Sequence, residues 1–118
     1  MLDTTPLIIA VDRFADRLRA APQSRLQRGA AAQGLAAARE LSARAQRAEE
    51  PGREPRVMPD AGVFAVGDQL AVAGRDLAAA LETAPSEELD EAVRCVEEAA
   101  ARAFAQGARR GGEAAASP

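Results

Sequence analysis

The sequence contains no histidine, lysine, tryptophan, tyrosine or asparagine, and its only cysteine is Cys95. Without histidine, the usual base of a Ser/His/Asp or Cys/His catalytic site is missing, and so is the commonest nitrogen ligand of metal ions. A single cysteine cannot form a disulfide within the chain, which favours a reducing compartment. We therefore expect a protein that is not an enzyme and has no catalytic residue, metal site or cofactor.

Two further kinds of segment are missing. No glycine-rich phosphate loop of the GxxxxGK[ST] or GxGxxG type is present. The apolar run Pro6–Val11 is short and has no basic region before it, so it does not resemble a secretory signal. Because no apolar run reaches the roughly 18 residues that a membrane span requires, we expect a soluble, cytoplasmic protein that does not bind membranes.

The residues that are abundant favour helices. Roughly a quarter of the chain is alanine, and all 15 basic residues are arginine. Both residue types are strong helix formers, so the composition predicts an all-α protein. Alanine buries little apolar area, so a small core of this composition is only marginally stable. Association with a second copy or another partner would add the missing burial.

Helix starts, stops and apolar periodicity predict a single helical domain over residues 1–110. Pro6 after two threonines favours a helix start, with a threonine hydroxyl as the cap. Two prolines and Gly52 predict a connector over 50–59, and small residues predict a disordered tail over 111–118. The predicted helices span 5–21, 24–49, 60–83 and 86–106. We expect an Ala-rich antiparallel four-helix bundle whose last two helices form a hairpin; the alternative is two helical hairpins completed by dimerisation.

The helix predicted over 60–83 carries an apolar stripe that includes two glycines. Glycine in a helix is less favourable than alanine by about 1 kcal/mol, so glycines on a buried stripe indicate that another helix backbone comes very close. This stripe is the predicted helix-packing interface, and it consists of Val63, Val66, Gly67, Leu70, Gly74, Leu77 and Leu81.

The charges are unevenly distributed along the chain. Residues 1–56 carry a net charge of +3 and residues 57–118 a net charge of −6. The two halves are expected to face each other and partly cancel; alternatively, one face stays uncovered and binds a partner of opposite charge. The candidate partner-binding basic face lies on the second helix and comprises Arg25, Arg28, Arg39, Arg44 and Arg47.

The sequence carries no signature specific enough to name a family. Its leading interpretation is a non-catalytic protein–protein interaction module, a self-associating adaptor or regulatory protein that forms a homodimer. One alternative is a nucleic-acid-associated regulator that uses the arginines of the first two helices, although no aromatic residue is interleaved for base stacking. Another is a metabolite sensor or all-α enzyme whose arginines clamp a carboxylate. The candidate clamp arginines are Arg13, Arg17, Arg28, Arg44 and Arg75, with Asp68 or Asp76 as the expected partner of Arg75.

Overall fold

The computed structural model describes the backbone of residues 1–116 and the side chains of residues 1–105. Every regular element in that part of the chain is helical: α1 (Thr5–Ala20), α2 (Gln23–Arg25), α3 (Ala31–Glu49), α4 (Val66–Ala80) and α5 (Ser86–Ala116). Here α2 is a single turn, and the other four helices pack against one another. The helix predicted over 86–106 continues to Ala116 and so includes residues 111–116 of the predicted tail, while residues 117 and 118 lie outside the described part of the chain.

The first helix begins where Pro6 predicts, but a different side chain caps it. The Asp3 carboxylate accepts a hydrogen bond from the Thr5 backbone N–H at 3.0 Å, whereas Thr4 makes no capping hydrogen bond. The threonine cap expected from the sequence is therefore replaced by a carboxylate, which the positive end of the helix dipole favours. Hydrogen bonds from Thr5 also hold the pKa of Asp3 below its usual value.

A bend interrupts the helix predicted over 24–49. After α2, residues Leu26–Ala30 form a π-type turn in which Gly29 has a φ of 143°. Glycine adopts that conformation without strain, and residues with a side chain rarely do. The continuous helix therefore begins at Ala31 rather than near Ser24.

The third predicted helix starts later than the sequence indicates. It was expected from residue 60, yet α4 begins at Val66 and is followed by a 3₁₀ turn over Leu81–Thr83. Gly62, with a φ of 94°, keeps the preceding residues out of the helix. Residues 50–65 consequently form one long connection, which we call the return segment.

Polar side chains from the helices hold the return segment against α3. The Gln46 amide pairs with both the backbone N–H and the C=O of Arg56, each at 2.9 Å. Arg39 donates a hydrogen bond to the Met58 carbonyl at 2.8 Å. Since residue 56 lies beside residue 46 and residue 58 beside residue 39, the segment runs backwards along α3.

This path makes α3 and α4 parallel. Val66 lies against Gly34 near the start of both helices, and Leu77 and Arg44 line one cavity nearer their ends. By contrast, Val11 lies against Gly74 while Ala15 lies against Gly67, so α1 and α4 are antiparallel. The prediction of an antiparallel bundle is therefore wrong for the α3–α4 pair.

The helices pack in an order that the sequence did not predict. Within the described part of the chain, α4 packs against α1 and α3, and α5 packs against the same two helices. Although only Ala84 and Pro85 separate the end of the 3₁₀ turn from α5, α4 and α5 have little direct contact. The predicted hairpin of the last two helices is thus absent, and these helices lie diagonally across the bundle.

The core is apolar and lies within one chain. Nearly half of the buried apolar residues are alanine, and the largest buried side chain is Phe14, which meets Phe104 edge-on with ring centroids 6.3 Å apart. The Arg17 guanidinium covers the outer face of Phe104 at 3.9 Å from the ring centroid. A single chain thus supplies a four-helix core, and the structure does not require two hairpins to be completed by dimerisation.

Candidate functional site

The predicted helix-packing interface is used inside the chain. Six of its seven residues are buried, and Val63, which precedes α4, is partly buried. Gly74 lies against Val11 and Gly67 against the Ala15 carbonyl, so both glycines serve the α1–α4 contact. The stripe is therefore occupied by α1 and α3 and cannot also bind a second copy. The six buried residues are Val66, Gly67, Leu70, Gly74, Leu77 and Leu81.

The five arginines predicted to form a basic face are dispersed. Arg39 is bonded to the return segment, and Arg44 donates to Glu40 at 2.8 Å. Arg28 donates to the Ser24 carbonyl at 3.4 Å, on the turn that precedes the bend. Arg47 lines a cavity at the end of α3, and Arg25 lies before the bend in α2. The bend and these internal contacts leave no continuous basic strip of the five residues.

The candidate clamp arginines do not converge on one site either. Arg75 forms two hydrogen bonds with the Asp12 carboxylate, at 3.0 and 3.3 Å, rather than pairing with Asp68 or Asp76. This pairing raises the pKa of Arg75. Arg17 covers Phe104, and Arg13 is exposed on α1. The structure therefore brings none of these side chains together around a shared carboxylate pocket.

A first candidate surface is the outer face of the α1–α4 pair. Asp12 and Asp16 of α1 line one depression with Val72 and Arg75 of α4. Ile9 shares a helix face with both aspartates, because residues three and seven positions apart lie on one side of a helix. Ile9 and Val72 are 44% and 59% exposed, so this face presents two aliphatic side chains beside an ion pair. We call it the α1–α4 outer face.

Salt bridges continue along the α1–α4 outer face. Arg19 bonds the Asp68 carboxylate through both Nε and Nη2, at 3.1 and 2.7 Å, and also contacts Asp16 at 3.3 Å. The hydrogen bond with Asp68 is the main reason that the pKa of Arg19 is raised. Two ion pairs of the described residues, Arg19–Asp68 and Arg44–Glu91, join arginines of the basic first half to carboxylates of the acidic second half, whereas Arg75–Asp12 joins the halves in the opposite sense. This partial cancellation matches the first of the two expectations for the charge asymmetry.

A second candidate surface is a cavity of about 420 Å³ at one corner of the bundle. It lies between the end of α3 and the connection from α4 to α5. Leu77 and Leu81 belong to its floor, Arg44 and Arg47 line it from α3, and glutamates line it from α5. We call this the corner cavity. The sequence did not predict it, because its walls come from helices whose arrangement depends on the return segment.

Cys95 lies in a charged groove between α3 and α5, where it is half-buried. Burial raises the pKa of its thiol, and the nearby Arg44 only partly opposes that effect. A thiolate is therefore disfavoured at neutral pH, and the structure gives no activation of this cysteine as a nucleophile.

The described residues provide neither a metal site nor a membrane-spanning helix. Among the described residues, no group of three or more cysteine and carboxylate side chains is placed to hold a metal ion. None of the described helices is both long and apolar enough to span a bilayer. Protein-family models, curated proteins and solved structures yield no match to this chain.

Proposed function

We propose that this protein is a non-catalytic interaction module that self-associates as a homodimer through the α1–α4 outer face. The observation that carries the proposal is the exposure of Ile9 and Val72 on one side of two packed helices, whereas the other exposed apolar side chains, Met1, Val57 and Phe64, lie outside the helices. Aliphatic side chains that share a face with charged neighbours are typical of the centre and rim of a protein–protein contact. The proposed setting is the cytoplasm, which a lone half-buried thiol suits.

The charges of this face support contact with an identical copy. Its residues alternate in sign, with Asp12 and Arg75 adjacent and Asp16 next to Arg19. In a two-fold contact, the same surface of both copies is used, so a residue of one copy can contact a different residue of the other copy and the reverse contact also forms. A face that carries both signs of charge can therefore complement itself. The exposed ion pairs add little stability to the monomer, since such pairs contribute about 0–1 kcal/mol each. Their proposed role is to orient the two copies.

Because the core is complete in one chain, the proposed dimer forms from folded monomers. Sedimentation velocity over a concentration series tests this proposal. We expect the weight-average mass to rise from the monomer value towards twice that value, while helicity measured by circular dichroism stays constant. A monomer at every concentration would remove the self-association.

Two single substitutions locate the interface. Val72→Glu places a charge at the centre of the α1–α4 outer face without entering the core, and we expect it to abolish association. Phe64→Glu is the matched control, because Phe64 is 71% exposed but lies on the turn before α4. If the Val72→Glu variant still dimerises and the Phe64→Glu variant does not, the interface does not lie on the α1–α4 outer face.

A further inference from the structure

The corner cavity combines an apolar floor with walls of opposite charge. Leu77 and Leu81 belong to the floor but are almost completely buried, so the apolar surface that a ligand can reach includes Ala80, Ala84 and Pro85. On one wall, Arg44 is bonded to Glu40 at 2.8 Å and lies 3.7 Å from Glu91. The Arg44 charge is therefore already paired within the protein.

Two charges on opposite walls are left for a ligand. Arg47 lines the cavity from α3 and Glu88 from α5. In the part of the chain whose side chains are described, neither forms a salt bridge. A simple anion would bind Arg47 but would also meet the glutamates, and a simple cation would meet the arginines. The charge pattern therefore favours a ligand that carries both signs.

We propose that the corner cavity binds a small apolar zwitterion, either a free amino acid or a short peptide with an aliphatic side chain. The ligand's carboxylate would accept hydrogen bonds from the Arg47 guanidinium, which presents paired donors to a carboxylate. Its ammonium group would pair with Glu88, and its side chain would contact Ala80, Ala84 and Pro85 above the buried leucines. The cavity of about 420 Å³ falls within the size range of small-ligand sites. This site is separate from the α1–α4 outer face and does not depend on self-association.

A titration followed by NMR of the ¹⁵N-labelled full chain tests the proposal. The probes are leucine and leucyl-leucine, compared with N-acetylleucine, which lacks the ammonium group, and leucinamide, which lacks the carboxylate. We expect saturable shifts around the corner cavity with at least one zwitterion, and roughly tenfold weaker binding of both charge-deleted probes. The tighter of the two zwitterions identifies an amino acid or a peptide as the source. The absence of saturable shifts with both, or equal binding of the charge-deleted probes, overturns the proposal.

Two charge-neutralising substitutions test the assigned residues. We expect Arg47→Gln and Glu88→Gln each to weaken binding of the better zwitterion by roughly tenfold. The matched controls are Arg53→Gln, on the return segment, and Glu87→Gln, beside Glu88 on α5; both lie outside the cavity lining. We expect the controls to bind like the unmodified chain. Wild-type affinity in Arg47→Gln and Glu88→Gln, with unchanged unfolding temperatures, overturns the assignment.

Discussion

Replacing Gly74 by alanine tests how closely α1 and α4 approach. A Cβ atom at this position would lie 2.6 and 2.7 Å from the two methyl carbons of Val11 and 3.0 Å from its Cβ. Ordinary carbon–carbon contacts are about 3.5–4.0 Å, so the added methyl would overlap its neighbours by roughly 1 Å. Val11 is β-branched and completely buried, so rotating its side chain cannot relieve all three contacts. The helices would have to move apart.

Two opposing effects determine the size of the change. Alanine is favoured over glycine in a helix by about 1 kcal/mol, which would stabilise an exposed site. Overpacking a core typically costs about 1–3 kcal/mol, and three close contacts with a rigid side chain place this site towards the upper end. We therefore expect Gly74→Ala to lower the free energy of unfolding by about 1–2 kcal/mol. For a chain of this length, the unfolding temperature should fall by roughly 4–8 °C.

Urea unfolding followed by circular dichroism at low protein concentration measures this change. Gly67→Ala is the matched control, since its new Cβ would meet the flexible Arg19 side chain at 3.0 Å, with the Ala15 carbonyl at 3.2 Å. We expect the control to change stability by less than about 0.5 kcal/mol, because its helix-propensity gain offsets milder crowding. Val11→Ala should partly rescue Gly74→Ala, with a coupling of about 1–2 kcal/mol. If Gly74→Ala is as stable as the unmodified chain, the close approach of α1 and α4 is refuted.

Two further predictions concern the return segment and the thiol. Gln46→Ala removes both hydrogen bonds to Arg56, so we expect the free energy of unfolding to fall by about 1–2 kcal/mol and tryptic cleavage after Arg56 to become faster. The control Glu49→Ala, at an exposed position of the same helix, should change neither property. Unchanged cleavage in Gln46→Ala would contradict the anchoring role of Gln46. Burial raises the pKa of the Cys95 thiol above its ordinary value, so the folded state binds this proton more tightly than the unfolded state does. The thiol should therefore be alkylated more slowly than free cysteine at pH 8. The stability that comes from the bound proton should be present below the ordinary thiol pKa of about 8.5 and should be lost as pH rises through the higher pKa of the folded state. Alkylation at the rate of free cysteine, or an equal loss of stability in Cys95→Ser, would contradict this prediction.

The helices themselves could be predicted because their signal is local. In α1, Leu7, Val11, Phe14 and Leu18 recur at steps of four and three, and all four side chains are buried. The two glycines of α4 also indicated a close helix contact, which the structure places against α1. In both cases, periodicity within one helix was sufficient to identify the buried side.

The order of the helices could not be predicted because it depends on contacts between distant residues. The return segment fixes α3 parallel to α4, and the Gln46 amide and the Arg39 guanidinium hold it there. Nothing in the periodicity of α3 distinguishes these side chains from ordinary exposed polar residues. The bend is equally hidden, since Gly29 stands among strong helix formers and only its backbone conformation ends the helix.

The partners of the arginines could not be predicted for the same reason. A helical sequence shows where a guanidinium lies around the helix, but not which acceptor from another helix will reach it. Arg75 meets Asp12 from 63 positions away, and Arg39 meets a backbone carbonyl of the return segment. Arg47 forms no salt bridge with a described acidic side chain, and it is a candidate ligand-binding residue because it lines the corner cavity, which depends on the arrangement of the helices.

The stability and the proposed association of this protein should be separable. Small residues let α1 and α4 approach closely, and this contact uses the stripe that contains Gly67 and Gly74. The residues proposed to contact a second copy, Ile9 of α1 and Val72 of α4, are exposed on the α1–α4 outer face, away from the core. A change at Val72 should therefore alter association without altering the unfolding of the monomer, and a change at Gly74 should do the reverse. If both substitutions shift both properties together, the inner and outer faces are energetically coupled, and the dimer must contribute to the core.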